Sequence, residues 1–420
     1  MNFLAIILYT FTFFHCFLSS RSLVAPVNIF IVLVGFFFSS VFFYNHSTLV
    51  YIIYFTILIL IISHNIITIK WVDVNKEFKK NHSFNYPNFR ILLVLSFIIL
   101  VLILFINKFD GLVGFIIASK RGTEEFFGLG HYKTIINMIY PLGLVSYILY
   151  NYSTKKKKIS FIINIIIQCL VIFIALLSLS RGVILNYFIS IIIIRFILGY
   201  KLSKTAYIII PIIALTFASF YGVVRETLNF DENNSFSLGI EDSENNFKTE
   251  WMEFGTYPIE QILLYKDINV PSYGLTYLTA ITNLVPRMIW PNKPDPGGVV
   301  FTRDYTRGLY DEFNQYSTGL FPEAMINFGI IGGYIFGVIF FFSIIIMSSY
   351  IFYKYFLNRF YFNKKLDVFI IAFYSYIFMS LPVLTTSEFT NVVTSLILKF
   401  ITLIGLYFAL FIKFKNEKYI

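Results

Sequence analysis

The residues of this chain best suited to chemistry are arginines set in polar turns. Arg121 stands in Ala-Ser-Lys-Arg-Gly and Arg181 in Ser-Leu-Ser-Arg-Gly-Val; Arg225, Arg287, Arg303 and Arg307 follow, with Lys293 among the last three. A guanidinium can grip a phosphate through two parallel N–H bonds and never deprotonates, so this set suits recognition of a phosphorylated ligand. His131, in Phe-Gly-Leu-Gly-His-Tyr, has the titration range of a general acid or base. Glu323, in Gly-Leu-Phe-Pro-Glu-Ala-Met-Ile-Asn-Phe-Gly, follows Pro322 at a helix start, where a carboxylate can pair with an arginine or move a proton. Trp290, with Tyr257, Tyr265, Tyr273, Tyr277, Tyr305, Tyr310 and Tyr316 around it, supplies rings that stack on sugars. Each residue also has a structural reading. An arginine can snorkel to an interface, a carboxylate at a helix start is favoured by the dipole, and aromatic rings can staple a small domain without any ligand.

The elements that must position these residues are not those of a soluble protein. Of 420 residues, 57% are hydrophobic, 20% aromatic and 13% charged, with 51 Phe and 30 Tyr and a mean hydropathy of +0.74. A soluble domain carries about 45–50% apolar and about 25% charged residues. The reading is an all-α, polytopic membrane protein. A helix crossing the hydrocarbon layer needs about 20 apolar residues, and uninterrupted apolar stretches give about eleven spans: 2–19, 26–43, 48–69, 90–107, 133–150, 159–178, 183–199, 205–224, 322–350, 367–385 and 391–412. Met1–Phe3 lacks the positive start of a signal peptide, so the first stretch is read as a permanent helix. The chain divides into spans one to eight over 1–224, a long loop over 225–321, and spans nine to eleven with a tail over 322–420. In span nine, Gly329, Gly333 and Gly337 recur every fourth residue, a pattern that lets another helix approach closely.

Charge placement orients the spans. Basic residues favour cytoplasmic loops, and one alternation puts 19 basic residues, including the run Lys155–Lys158, against only four acids (Asp73, Glu77, Asp367 and Glu417) on one face. The net charge of +10 therefore reports topology and not nucleic-acid binding. The N-terminus falls outside and the C-terminus inside. The segment from Arg225 to about Phe321 falls outside, with seven basic and fourteen acidic residues: a polar acidic part over Asn229–Asn246, then an aromatic, Pro-rich part over Trp251–Phe321. The arginines above all lie on the outer face, against the positive-inside trend, and ionisable groups at membrane depth cost about 2.5–3.5 kcal/mol on insertion scales. The two cysteines, Cys16 and Cys169, make no disulfide framework, and the sequence holds no zinc or ATP signature, so no metal and no cofactor are expected. Charge is scarce in span centres, Lys399 being the main exception, whereas an ion-coupled transporter would carry several such groups.

Three stretches carry a resemblance: Ser-Leu-Ser-Arg181-Gly; Leu-Val-Pro-Arg287-Met-Ile-Trp-Pro-Asn-Lys293-Pro; and Ser-Thr-Gly-Leu-Phe-Pro-Glu323-Ala-Met-Ile-Asn-Phe-Gly-Ile-Ile-Gly. In these, and in having ten to twelve spans with one dominant late outer loop, the chain resembles the O-antigen polymerase (Wzy-like) family of oligosaccharide repeat-unit polymerases. Arg-x10-Gly and Arg-x15-Gly patterns described in that family match Arg287 to Gly298 and Arg303 to Gly319, here both in one loop. The resemblance implies a multi-pass protein of the bacterial cytoplasmic membrane, active on its outer side. It implies a metal-independent glycosyltransferase that joins oligosaccharide units carried on undecaprenyl diphosphate into O-antigen, capsule or exopolysaccharide. Its partners would be that membrane lipid-linked oligosaccharide, a chain-length regulator and a flippase. Arg181 and Arg287, aided by Arg121 and Lys293, would neutralise the leaving diphosphate; Glu323 or His131 would position or deprotonate the acceptor; Arg225, Arg303, Arg307 and Trp290 would bind substrate. The competing readings are an O-antigen ligase, which shares arginine-rich outer loops, and a lipid-linked oligosaccharide flippase, which would more naturally show two related halves. An enzyme using a polyprenyl monophosphate sugar would carry acids in its first outer loop, and Tyr44–Ser47 has none.

Overall fold

A computed structural model describes residues 1–20, 25–68, 86–121, 129–153, 157–177, 181–198, 228–230, 236–238, 253–266, 270–285, 289–306, 316–353, 365–385 and 387–411. Among these the protein is helical, apart from one hairpin whose strands, Leu228–Phe230 and Phe236–Leu238, pair antiparallel with Asn229 opposite Ser237. Among the described residues six helices are long and apolar enough to cross a membrane: Asn2–Ser19, Thr48–Thr68, Asn88–Asn107, Lys158–Leu177, Leu320–Tyr353 and Phe389–Phe411. The protein is a helical membrane protein. Shorter apolar helices cover Pro26–Phe37, Asn186–Ile197 and Leu366–Leu381; the expected span at 205–224 lies outside the described residues.

The chain forms two compact units. The first comprises Met1–Glu77, Lys248–Phe360 and Ile377–Ile397. It contains α1 (Asn2–Ser19), α2 (Pro26–Phe37), α3 (Ser40–Phe43) and α4 (Thr48–Thr68), then the short helices α11 (Tyr257–Leu264), α12 (Leu275–Thr282) and α13 (Gly297–Tyr305), and the long α14 (Leu320–Tyr350). The second comprises Phe78–Phe247, Tyr361–Tyr376 and Leu398–Ile420. It contains α5 (Asn88–Asn107), α6 (Leu112–Arg121), α7 (Gly130–Asn137), α8 (Ile139–Tyr152), α9 (Lys158–Leu177) and α10 (Arg181–Ile197). Residues of α15 (Lys365–Val383) and α16 (Phe389–Phe411) belong to both units.

Three expected spans are broken, each for a local reason. The stretch 133–150 divides at Met138 into α7 and α8, because the ring of Pro141 would meet the carbonyl four residues back, at Asn137. The stretch 26–43 divides after α2, which frees the carbonyl of Phe37 to accept the N–H of Gly255 at 3.0 Å, while the Ser40 and Thr256 hydroxyls bond at 2.9 Å. The third break matters most. Gly329, at φ 73° and ψ 175°, leaves the helical region inside α14, a conformation that only glycine adopts without strain.

At that point the chain turns back on itself. A Cβ on Gly333 would collide with the backbone of Met325 and lie 2.6 Å from the carbonyl carbon of Ala324, and one on Gly337 would lie 2.6 Å from the Phe321 ring. Phe321 also meets Phe341 at 6.1 Å, and Phe328 meets Phe336 at 4.9 Å. Residues 320–328 thus form a half-helix lying antiparallel against the helix that begins at residue 330. The glycine stripe does admit a close neighbour, but the neighbour is the start of the same segment. The 24 residues from 330 to Tyr353 still reach about 36 Å, enough for a hydrocarbon layer of about 30 Å. A broken helix must have its freed backbone groups paired, and here they are: the N–H groups of Ser272 and Tyr273 bond the carbonyls of Ile326 and Asn327, both at 2.9 Å.

Candidate functional site

The half-helix 320–328 carries Glu323 in its first turn, wholly buried. Both carboxylate oxygens are engaged. Thr276 Oγ1, from α12, donates to Oε1 at 3.0 Å, and the main-chain N–H of Phe389, at the start of α16, donates to Oε2 at 2.6 Å. Asn327, one turn on and also buried, donates to Thr276 Oγ1 at 2.6 Å and accepts the N–H of Gly274 at 3.0 Å. Thr390 closes the cluster by bonding the carbonyl of Thr276 at 2.9 Å and the hydroxyl of Thr279. Glu323 therefore pins three segments together: the re-entrant half-helix, α12 and the turn that opens α16.

A second carboxylate stands beside it. Glu388, the residue before Phe389, is 1% exposed, and its Oε2 accepts the N–H of Gly298 at the start of α13. Its Oε1 is buried with no hydrogen-bond partner. Burial holds the Glu388 carboxyl above the usual carboxylate range, against the opposing pull of hydrogen bonds from the Gly298 N–H and the Asn391 side chain.

The two carboxylates share one backbone step. A Cβ on Gly297 would sit 2.9 Å from Glu323 Oε1, and one on Gly298 would sit 2.8 Å from Glu388 Oε2 and 2.9 Å from the carbonyl oxygen of Tyr316. Only a Gly-Gly pair lets the main chain pass between these groups. Tyr316 itself is 42% exposed, so the pair lies one layer beneath the surface. Rings pack beside this step: Tyr257 lies 5.9 Å from Tyr316 and 6.4 Å from the buried Phe301, which stacks on the buried Tyr305 at 6.1 Å.

The segments that meet here are those that charge alternation assigns to one side: 44–47, the late loop, and 384–388. His46 Nδ1 approaches Glu260 Oε1 to 3.5 Å, the N–H of Ser47 donates to the same oxygen at 2.7 Å, and the N–H of Leu320 donates to the carbonyl of Leu384 at 2.9 Å.

The sequence-selected residues fall in several places. Lys293 and Arg303 join Glu323 in the first unit. Lys293 Nζ donates to the carbonyl of Val285 at 3.0 Å, and Trp290 is 42% exposed. Arg303 lies on α13, about 8 Å along its axis from Gly298, where Asp304 at 2.8 and 3.1 Å and Asp295 at 2.8 Å hold its guanidinium. Those hydrogen bonds, that of Asp304 first, raise its already high pKa. Arg121 at the end of α6, His131 in the first turn of α7 and Arg181 at the start of α10 belong to the second unit. Arg225, Arg287 and Arg307 lie outside the described residues. Among the described residues no group of three or more His, Cys, Asp or Glu could hold a metal ion.

Sequence reasoning missed Glu388, Thr276, Asn327 and the Gly297-Gly298 step. Glu388 carried the same signal as Glu323, an outer acid at the opening of a span in Thr-Thr-Ser-Glu-Phe-Thr. The chain matches no family model, no curated protein and no solved structure.

Proposed function

We propose that this protein is a glycosyltransferase-type polymerase of the bacterial cytoplasmic membrane, with about eleven spans and the segment 225–321 outside. It joins oligosaccharide repeat units carried on undecaprenyl diphosphate into a surface polysaccharide. The observation that carries this reading is the union of two of the resembling stretches in one site. The chain after Lys293 enters α13 at Gly297-Gly298, and that step packs on Glu323 of the Gly-Leu-Phe-Pro-Glu stretch. Buried carboxylates one layer beneath the exposed Tyr316 suit a sugar hydroxyl that must lose a proton.

In this reading the acceptor hydroxyl attacks the anomeric carbon of the donor glycan and the lipid diphosphate leaves. Arg181 and Arg287, with Arg121 and Lys293, balance the charge that develops on the leaving oxygen. Arg225, Arg303, Arg307 and Trp290 bind substrate, and Glu323 or His131 positions or deprotonates the acceptor. A chain-length regulator and a flippase act beside it. The test is genetic and biochemical. Deleting the gene should leave single repeat units on the cell surface, and Arg181→Ala or Arg287→Ala should abolish long chains while the protein accumulates normally. Polymer of full length from both variants would remove the arginines from the mechanism; a deletion that leaves surface polymer unchanged would overturn the reading.

A further inference from the structure

Of the two buried carboxylates, one has an oxygen without a donor. Glu323 already accepts from a hydroxyl and a main-chain N–H, one on each oxygen. Glu388 spends one oxygen on Gly298 and leaves Oε1 without a donor in a residue that is 1% exposed. A buried acceptor left unpaired costs about 1–3 kcal/mol, more when charged, and such a cost persists where a ligand relieves it. The missing partner must be a donor, and the setting identifies its chemistry. The carboxyl lies one layer beneath the exposed Tyr316: its Oε2 and the Tyr316 main-chain carbonyl both flank Gly298, and the Tyr316 ring packs on Tyr257. A sugar hydroxyl fits each of these features.

We propose that Glu388 is the proton acceptor for the attacking hydroxyl, and that Glu323 is a positioning residue that fixes the turn from which Glu388 projects. The proposal rests on the polymerase reading. The hydroxyl O–H bond breaks and its proton passes to Glu388 Oε1. The freed oxygen pair bonds to the anomeric carbon, and the bond from that carbon to the diphosphate oxygen breaks, its electron pair leaving with the lipid diphosphate. Glu388 then returns its proton to water. Glu323 does its part through geometry: its Oε2 holds the N–H of residue 389, and its neighbour Gly297 precedes the glycine that binds Glu388.

Among the described residues, the titratable group that faces Glu388 across the Gly297-Gly298 step is Glu323 of the re-entrant half-helix, and the Asn391 side chain hydrogen-bonds its carboxyl. Because burial lifts the Glu388 pKa, the rate should fall on the acid side at a pH above the ordinary carboxylate range.

The experiment uses the full-length protein in lipid vesicles with a polyprenyl-diphosphate-linked repeat unit as donor and acceptor, product length being read on gels across pH. Glu388→Gln keeps an amide oxygen for the Gly298 N–H, so a purely structural role would survive it. As a lost base it should slow extension by about 100-fold or more and remove the acid limb. Formate should restore part of the rate in Glu388→Gly. Glu323→Gln should slow extension but keep the acid limb. Wild-type rates from Glu388→Gln, or an acid limb unchanged in that variant, would overturn the assignment while the polymerase reading stands. No extension by the wild-type protein would overturn the polymerase reading itself, and this assignment with it.

Discussion

Two buried polar clusters, one in each unit, are built from similar materials and differ in one respect. In the second unit Tyr86 bonds Ser146 at 2.6 Å, Ser146 donates to Asn164 at 3.0 Å, Gln168 reaches the carbonyl of Gly143 at 3.1 Å and Tyr187 donates to Gln168 at 2.5 Å. Each of these five side chains has a partner within the unit. In the first unit Glu323, Thr276, Asn327 and Thr390 are equally well paired, but Glu388 beside them keeps one bare oxygen. A complete polar network inside a membrane protein is glue between helices. An incomplete one leaves an acceptor that a donor from outside the folded chain can satisfy. The comparison teaches that burial of polar groups does not by itself mark a site here; what sets Glu388 apart is that, among the described buried atoms without a partner, its Oε1 is the one carboxylate oxygen.

The largest effect that could break this contrast is expected at Glu323. Glu323→Ala leaves the Thr276 hydroxyl and the Phe389 N–H without acceptors in a site that excludes water. At about 1–3 kcal/mol for each unmet donor, a loss of about 2–6 kcal/mol should appear as a large drop in unfolding temperature in detergent, together with loss of activity. If the unfolding temperature of Glu323→Ala equals that of the wild type, Glu323 is not the pin described here. The next effect is smaller and lies in the other unit. Tyr187→Phe removes one donor from Gln168 Oε1, and interhelical hydrogen bonds within membranes are worth about 0.6 kcal/mol on average. A modest fall in unfolding temperature with unchanged turnover per folded molecule is expected; a loss of turnover would make the second cluster functional too.

How much of this was legible beforehand follows from the kind of signal each feature leaves. Long apolar runs reported α1, α4, α5, α9 and α16 nearly to the residue, because a membrane demands uninterrupted hydrophobicity and that demand is local. The half-helix was hidden for the same reason: 320–350 is apolar throughout, so composition reads it as one span, and only the backbone at Gly329 tells that it folds back. The four-residue glycine spacing was visible and correctly signified close packing, but spacing does not name the partner. Glu323 was found because it stands out in an apolar segment. For Glu388 the distinguishing property, one oxygen paired with the N–H of a glycine 90 residues away and the other left without a partner, exists only after folding.

The smallest effect sharpens the comparison most. A carboxyl whose folded pKa is raised binds protons more readily in the native state than in the unfolded one, so it favours the native state below its ordinary range and that advantage is lost as pH rises through the folded value. Glu388→Gln has no proton to lose. Its unfolding temperature should therefore match or fall slightly below the wild type at acid pH and exceed it at neutral and alkaline pH, the gap widening between the ordinary carboxylate pKa and the raised one and then levelling. Thermal unfolding at pH 4, 6 and 8 checks this, and a gap that is constant across the series would mean that burial does not raise the Glu388 pKa. A residue whose replacement stabilises the protein while stopping its chemistry is retained for function at a cost in stability. Tyr187, whose loss should weaken the fold and leave turnover intact, is the opposite case, and the two variants measured side by side separate a site from its scaffold.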